Sequence, residues 1–163
     1  MTTVFRASRR ATGFDPLDAS GSVGRNGWRF NDRDTPILYA ASVQSLSILE
    51  VVARPGWEAV GVLTVFPIEI PEAGLATLEE LGITLPTNWN NRPAGAAARQ
   101  IGAQLIQAID RAEGEGTHIY GLHVPSVIST TDTNVLLDPR QVEAYRVGQP
   151  ARIPFDWLVG SGT

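Results

Sequence analysis

Three residues in the first third of this sequence, Arg29, Tyr39 and Glu50, have the side chains that a pocket for a phosphorylated nucleotide needs. A guanidinium can bind a phosphate through paired hydrogen bonds, and an aromatic ring can stack on a planar base or ring. A carboxylate can bind sugar hydroxyls and stabilise a developing positive charge. Arg6 upstream and Ser126 downstream add a second cation and a hydroxyl, so the pattern indicates a nucleotide site.

Arg29 and Tyr39 also have structural interpretations that the residues alone leave open. Arg29 stands between Trp28 and Phe30, so its stem can pack on aromatic rings while its guanidinium stays in water. The functional alternative is a guanidinium held rigid by those rings so that it clamps a phosphate. Tyr39 ends a short apolar run, where it is either a core tyrosine with a satisfied hydroxyl or a ring that stacks on a base or nicotinamide.

Glu50 and Ser126 present a similar choice. Apolar residues bracket Glu50 at helical spacing, and a buried carboxylate without a partner is costly. Glu50 therefore either forms a structural ion pair with Arg29 or Arg6, or faces a ligand. Ser126 follows Pro125 without a nucleophile-elbow pattern, so a hydrogen-bonding role is favoured over a nucleophilic one.

Composition restricts the class of protein. The chain of 163 residues has a formal net charge of −4, which disfavours a surface that coats nucleic acid. It has no cysteine and only two histidines, so we expect no metal site. No apolar run approaches the ~20 residues of a membrane-spanning helix, and the start lacks a signal-peptide pattern. We therefore expect no membrane partner and a cytoplasmic protein, or an exported effector that acts in the cytoplasm of a target cell.

The elements that must position these residues follow from the hydrophobic pattern. A helix is predicted to begin with Ser42 as N-cap and to stop at Pro55-Gly56, with Glu50 on its last turns. An amphipathic helix is predicted over 96–112. Strands are predicted at 4–6, 37–40, 60–70 with an interruption near Pro67, 118–125, 135–139 and 151–158. The mixture predicts an α+β fold in a single domain over residues 1–163.

A series of short motifs, in order along nearly the whole chain, resembles the RES-domain toxins, which pair with Xre-type antitoxins in bacterial toxin–antitoxin modules. The family is named for an arginine, a glutamate and a serine. The motifs that carry the resemblance are Phe5-Arg6, Gly27-Trp28-Arg29-Phe30-Asn31, Leu38-Tyr39-Ala40-Ala41-Ser42, Ile48-Leu49-Glu50, Leu85-Pro86-Thr87-Asn88-Trp89, Gln100-Ile101-Gly102, Val124-Pro125-Ser126-Val127 and Asn134-Val135-Leu136-Leu137-Asp138-Pro139.

The resemblance implies a fold like that of the ADP-ribosyltransferase toxins, with a mixed, mostly antiparallel split sheet and flanking helices. It implies an NAD+ glycohydrolase or phosphorylase that breaks the nicotinamide–ribose bond, depletes NAD+ and arrests growth. A protein mono-ADP-ribosyltransferase is one alternative, and a non-catalytic nucleotide-binding module is another. The implied partner is an Xre-type antitoxin or an immunity protein, and the acceptor is water, phosphate or a protein side chain. NAD+ is the implied substrate, and no metal is implied.

By position, the resemblance assigns the cationic and aromatic residues to NAD+ binding. Arg6 and Arg29 would hold the diphosphate of NAD+ or an incoming phosphate, and Tyr39 would line or stack against the nicotinamide end. The chain departs from the family pattern beside them. Trp28 stands where the family has a second glycine, and Phe30 stands where it has a tryptophan.

The resemblance assigns the remaining residues to the ribose end. Glu50 would bind the nicotinamide ribose and stabilise the oxocarbenium ion, Ser126 would hydrogen-bond in the same pocket, and Asn134 would support the site. The implied catalytic set is Glu50, Arg29, Tyr39 and Ser126. Two further departures are Arg54, where a histidine is frequent, and Gln141, within the family's Asn-Pro-x-His segment.

Overall fold

The structure is a computed structural model that describes residues 1–10, 12–24, 27–53 and 61–154. Its main elements in these ranges are eight strands and two α-helices. The strands are β1 (Thr2–Ser8), β2 (Leu38–Ala41), β3 (Val62–Ile70), β4 (Leu75–Ala76), β5 (Gly121–Pro125), β6 (Thr133–Leu137), β7 (Arg146–Val147) and β8 (Ala151–Pro154). The helices are α1 (Gln44–Val52) and α2 (Ala96–Gly114), with 3-10 helices at Ser20–Val23 and Pro139–Ala144. This composition confirms the predicted α+β class.

The described strands form one eight-stranded sheet with the order β4-β5-β6-β2-β1-β3-β7, and β8 pairs with β3 as well. Every pairing is antiparallel except that of β4 with β5. Strand β6 lies between β2 and β5, so Asn134 is opposite Ala41 on one side and Val124 on the other. This topology places Asn134 beside the end of the strand that leads into Ser126.

Apolar side chains cover both faces of the sheet. On one face Val4, Leu38 and Ile68 form a buried cluster. On the other, Leu122 and Leu136 pack with the apolar stripe of α2, which consists of Ile101, Leu105 and Ile109. Full burial of each such side chain stabilises the fold by about 1.5–3 kcal/mol. Helix α2 is thereby fixed against β5 and β6.

The predicted N-cap of the first helix is wrong. Val43 occupies the cap position and makes no side-chain cap hydrogen bond. Ser42 instead extends the sheet, because its backbone N–H donates to the Thr133 carbonyl at 2.9 Å and its Oγ accepts from the Thr133 N–H at 3.1 Å. The Ser42 hydroxyl, which the local pattern assigned to the helix N-terminus, is thus hydrogen-bonded to Thr133, a residue distant in sequence.

The predicted interruption at Pro67 is also wrong, because β3 runs through it opposite Phe5. On the outer side of β3, β8 pairs with residues 62–65 and β7 pairs with Ile68 and Glu69. The Pro67 carbonyl accepts from Gly148 N–H on that outer side. Pro67 therefore lies in the gap between the segments of β3 that pair with β8 and with β7. No strand partner needs a backbone N–H from residue 67 there, so proline costs the sheet no hydrogen bond. The predicted stop at Pro55-Gly56 lies outside the described residues.

Gly102 allows α2 to approach the turn formed by residues 28–31. Its N–H donates to the Phe30 carbonyl at 2.6 Å. A Cβ added to Gly102 would lie 2.7 Å from that carbonyl oxygen and 3.2 Å from the Asn31 Cβ. Because the nearer contact is with backbone, rotation of a side chain cannot relieve it. Gly102 therefore couples the position of α2 to the turn that carries Arg29.

Gly102→Ala is expected to lower the free energy of unfolding by about 1–3 kcal/mol, because the added methyl group overpacks a backbone contact. Gly114→Ala is the matched control in the same helix, since a Cβ there would meet nothing within 4 Å. Urea unfolding followed by circular dichroism measures both. Equal midpoints for the two variants would contradict the proposed coupling.

Candidate active site

A cavity of about 790 Å³ brings the predicted site residues together. Small-molecule sites have volumes of about 300–1,000 Å³. The predicted residues that line the cavity are Arg6, Arg29, Tyr39, Glu50 and Asn134. Ser126 is not in the wall itself, although its neighbours Pro125 and Val127 are. The cavity is therefore the candidate active site.

The Glu50 carboxylate is held through one oxygen by two uncharged donors. Asn134 Nδ2 donates to Glu50 Oε1 at 2.6 Å, and Ser126 Oγ donates to the same atom at 3.0 Å. Among the described residues, Glu50 has these donors and not the ion pair with Arg29 or Arg6 that the sequence left open. Because both engage Oε1, the carboxylate has a fixed orientation, and among the described residues no donor is found on Oε2.

Ser126 is itself fixed by the loop that follows β5. It is buried, and its Oγ accepts from the N–H groups of Ile128 at 3.0 Å and Ser129 at 3.3 Å. With its proton directed to Glu50, the hydroxyl is used fully as a hydrogen-bonding group. This geometry suits the hydrogen-bonding role, and the part that Ser126 plays in a reaction stays a prediction.

The two predicted phosphate-binding arginines are each anchored by backbone carbonyls. Arg29 Nη1 donates to Trp89 O at 2.8 Å and to Asn91 O at 2.9 Å. Arg6 Nη1 donates to Pro16 O at 2.7 Å and to Asp18 O at 2.9 Å. Such anchoring reduces the conformational freedom that an arginine loses on binding an anion.

The electrostatic surroundings of Arg29 contain charges of both signs. Burial lowers the pKa of Arg29, the positive charge of Arg92 lowers it further, and Glu50 and Tyr39 oppose both effects. Since arginine remains protonated in proteins, these shifts leave its charge in place. They show that Arg92 and Glu50 are electrostatic neighbours of the Arg29 guanidinium.

Tyr39 has the hydrogen-bonded hydroxyl that the structural interpretation predicted, and it also lines the cavity. Its hydroxyl accepts from Phe30 N–H at 3.1 Å and donates to Asn31 Oδ1 at 2.8 Å. Its ring centroid lies 5.0 Å from that of Trp28, with the two planes tilted by 38°. The departure at Trp28 therefore adds an aromatic wall to the cavity, beside the ring predicted to stack on nicotinamide.

Asn31 is a site-building residue that sequence reasoning missed. It is fully buried, and its Nδ2 donates to Ser22 O at 3.0 Å and Thr35 O at 2.9 Å, while its Oδ1 accepts from Tyr39. The structure shows why Gly27 is needed in this turn, since its φ is +76° and a Cβ there would collide with the Asn31 carbonyl. A glycine in the sequence indicates a turn, but it does not indicate that Asn31 is buried.

The end of the C-terminal motif, from Asp138 onward, is structural in the described part of the chain, whereas Asn134 at its start lines the cavity. Asp138 is fully buried and accepts from Arg140 Nη2 at 2.7 Å, and Arg140 also donates to Asp110 on α2 at 2.8 Å. Hydrogen bonding to Asp138 raises the pKa of Arg140. Gln141 Nε2 donates to Ile119 O at 3.0 Å. None of the side chains of Asp138, Arg140 and Gln141 lines the cavity, and the departure at Arg54 lies outside the described residues.

Across the described ranges, no group of three or more histidine, aspartate or glutamate side chains is arranged to hold a metal ion. In the same ranges, no helix has both the length and the apolar character that crossing a bilayer requires.

Comparison with known proteins identifies the family. The model of the RES domain matches residues 3–157 of the chain. The chain belongs to the RES domain family. It is 33% identical over 162 residues to the Prs ADP-ribosylating toxin of Sphingobium sp. (strain YBL2), which covers 97% of this chain and 94% of that protein. It is 31% identical over 115 residues to Toxin Res of Yersinia enterocolitica, with 70% of this chain and 69% of that protein covered.

A solved structure has the same fold as this RES domain. The match is a chain in the crystal structure of the M. tuberculosis MbcT-MbcA toxin–antitoxin complex, with a TM-score of 0.66 and 15% identity. It covers 93% of this chain and 84% of that chain. At this identity the likeness concerns the fold alone. The family predicted from the sequence motifs is thereby confirmed, together with its α+β architecture.

Asn134→Asp is expected to destabilise the RES domain at about pH 7 by about 1–3 kcal/mol, because a second carboxylate would replace the amide donor to Glu50. The deficit should narrow as pH falls to about 4, where carboxyl groups take up protons and the repulsion between them weakens. Urea unfolding at both pH values measures this difference in the free energy of unfolding between the variant and the unaltered protein. Asn90→Asp, on an exposed loop, is the control. A deficit that does not change with pH would contradict the contact.

Proposed function

We propose that this RES-domain protein is an NAD+-consuming toxin that breaks the nicotinamide–ribose bond, with water or phosphate as the acceptor. The observation that carries the proposal is the Glu50 carboxylate, fixed through Oε1 by Asn134 and Ser126 in an arginine-lined cavity. Family membership supports it, as does the near full-length relative named for ADP-ribosylation. Transfer of ADP-ribose from NAD+ requires cleavage of this same bond.

In the proposed reaction, the bond between the anomeric carbon of the ribose and the nicotinamide nitrogen breaks, and its electron pair leaves with nicotinamide. Positive charge then develops on the ribose, where the Glu50 Oε2 would bind a hydroxyl and stabilise the oxocarbenium ion. An oxygen of water or phosphate forms the new bond and releases its proton to solvent. The enzyme mainly contributes positioning and charge stabilisation, because nicotinamide is a fair leaving group.

The remaining cavity residues would bind the rest of NAD+. Arg6 and Arg29 would hold the diphosphate, since both guanidinium groups line the cavity and are anchored by carbonyls. The Tyr39 ring would stack on nicotinamide, with Trp28 beside it. Fixed donors and rings of this kind lower the ordering cost of binding a flexible substrate.

A protein side chain is the second candidate acceptor. The specific observation in its favour is the relative named as a Prs ADP-ribosylating toxin, which matches 97% of this chain. The two candidates share the cleavage step and the Glu50 carboxylate. The two candidate reactions differ only in the nucleophile that reaches the ribose, so identification of the acceptor in the product distinguishes them.

We further propose that residues 1–163 form one RES domain and that an inhibitory protein binds it, either an Xre-type antitoxin or an immunity protein. Unrestrained loss of NAD+ would kill the producing cell, and the similar solved structure is described as a toxin–antitoxin complex. NAD+ consumption places the site of action in the cytoplasm, of the producing cell or of a target cell.

Nicotinamide release by the purified protein, freed of any inhibitor, tests the proposal. Glu50→Gln is expected to reduce the rate by about 10²–10³-fold, as loss of one charge-stabilising group does in other enzymes. Glu79→Gln, an exposed glutamate outside the cavity, is the matched control and should retain the rate. Mass analysis of the ribose product, with and without phosphate, identifies water or phosphate as the acceptor.

Three outcomes discriminate among the functions. Transfer of label from NAD+ to one specific cellular protein, with little bulk loss of NAD+, would support the protein acceptor. NAD+ binding by calorimetry without nicotinamide release would support a non-catalytic binding module. Intact NAD+ in the presence of both phosphate and total cellular protein would refute the proposed cleavage.

A further inference from the structure

The cavity wall has more cationic residues than the two assigned to NAD+ from the sequence. The arginines that line it are Arg6, Arg9, Arg10, Arg29 and Arg92, and the acidic residues are Asp15, Asp18 and Glu50. This concentration of arginine occurs in a chain whose formal net charge is −4. The cavity is therefore suited to an anion, in contrast to the chain as a whole.

The acidic residues of the wall are engaged by uncharged donors. Asp15 Oδ1 accepts from Leu17 N–H at 2.8 Å, and Asp18 accepts from the N–H and hydroxyl of Ser20 at 2.8 Å and 2.7 Å. Glu50 accepts from an amide and a hydroxyl, as described above. These carboxylates thus already have hydrogen-bond partners other than arginine.

Arg92 is brought beside Arg29 by the bonds that Arg29 itself makes. Arg29 Nη1 holds the carbonyls of Trp89 and Asn91, so the backbone that precedes Arg92 is fixed to the Arg29 side chain. The positive charge of Arg92 lowers the pKa of Arg29, second only to burial. Two like charges held together in one wall repel each other, and a bound anion removes that repulsion.

Arg92 has no structural ion pair in the ranges that the structure describes. The arginine ion pairs found there involve Arg33 with Asp34, and Arg140 with Asp110 and Asp138. Arg92 is exposed, so a bound anion can reach it from solvent. Its guanidinium is therefore available to an anion in the cavity.

We propose that Arg92 is a phosphate-binding residue in addition to the two assigned above, and that it forms, with Arg29, a two-arginine clamp for a diphosphate. Each guanidinium presents a planar set of donors that matches phosphate oxygens, and two together match the two charges of a diphosphate. The identification of that diphosphate as part of NAD+ rests on the proposed function. The anion clamp itself rests on the placement of Arg29 and Arg92.

Calorimetric titration with inorganic pyrophosphate tests the clamp without catalysis. Arg92→Ala is expected to weaken pyrophosphate binding about tenfold, and to reduce the dependence of that binding on salt, because one charge-assisted contact is lost. Arg92→Lys should keep part of the affinity, since it retains the charge but not the planar donors. Arg33→Ala removes an exposed arginine outside the cavity and should bind pyrophosphate like the unaltered protein.

Steady-state kinetics with NAD+ supplies the second measurement. Arg92→Ala should raise KM by a larger factor than it lowers kcat, because the diphosphate is remote from the bond that breaks. No pyrophosphate binding by the unaltered protein, or equal binding by Arg92→Ala and Arg33→Ala, would overturn the clamp. Pyrophosphate binding that depends on Arg92 in a protein that never cleaves NAD+ would refute the proposed function and leave the clamp standing.

Discussion

The site depends on one shared acceptor, the Oε1 atom of Glu50. Asn134 on β6 and Ser126 after β5 both donate to it, and Glu50 itself comes from α1. An amide and a hydroxyl fix the carboxylate without neutralising it, whereas an arginine partner would offset the negative charge that the proposed reaction uses to stabilise a developing cation. The sheet order supplies this arrangement, because β6 lies next to β5 and Asn134 pairs with Val124.

A second buried group positions another part of the cavity wall. Asn31 links the turn that carries Arg29 to the hydroxyl of Tyr39, and Gly102 lets α2 press against the same turn. Buried polar groups that are fully hydrogen-bonded make a local structure rigid and specific. Through Arg29 the rigidity extends to the loop that carries Arg92. The packing of α2 in the core therefore also fixes the turn that carries Arg29 and the backbone that precedes Arg92.

Much of the fold was predictable from local patterns, whereas the residues of the site were predicted from their types and from the family resemblance. The stripe of α2, the α+β class and the family follow from spacing and from ordered motifs, and these were confirmed. The errors arose where a distant partner decides the outcome: Ser42 bonds Thr133, and Pro67 lies between two strand partners. No short window contains that information. The roles of the site residues in a reaction stay predictions, since they concern a ligand.

The separation in sequence between the three groups at the carboxylate has a consequence for when the site forms during synthesis of the protein. Glu50 is 76 residues before Ser126 and 84 residues before Asn134. A nascent chain that has left the ribosome only as far as α2 contains the glutamate but neither of its donors. The carboxylate can acquire its working orientation only after β6 has emerged and joined the sheet. The arrangement at the carboxylate is therefore a property of the completed sheet, and a nascent chain that lacks β6 does not have it.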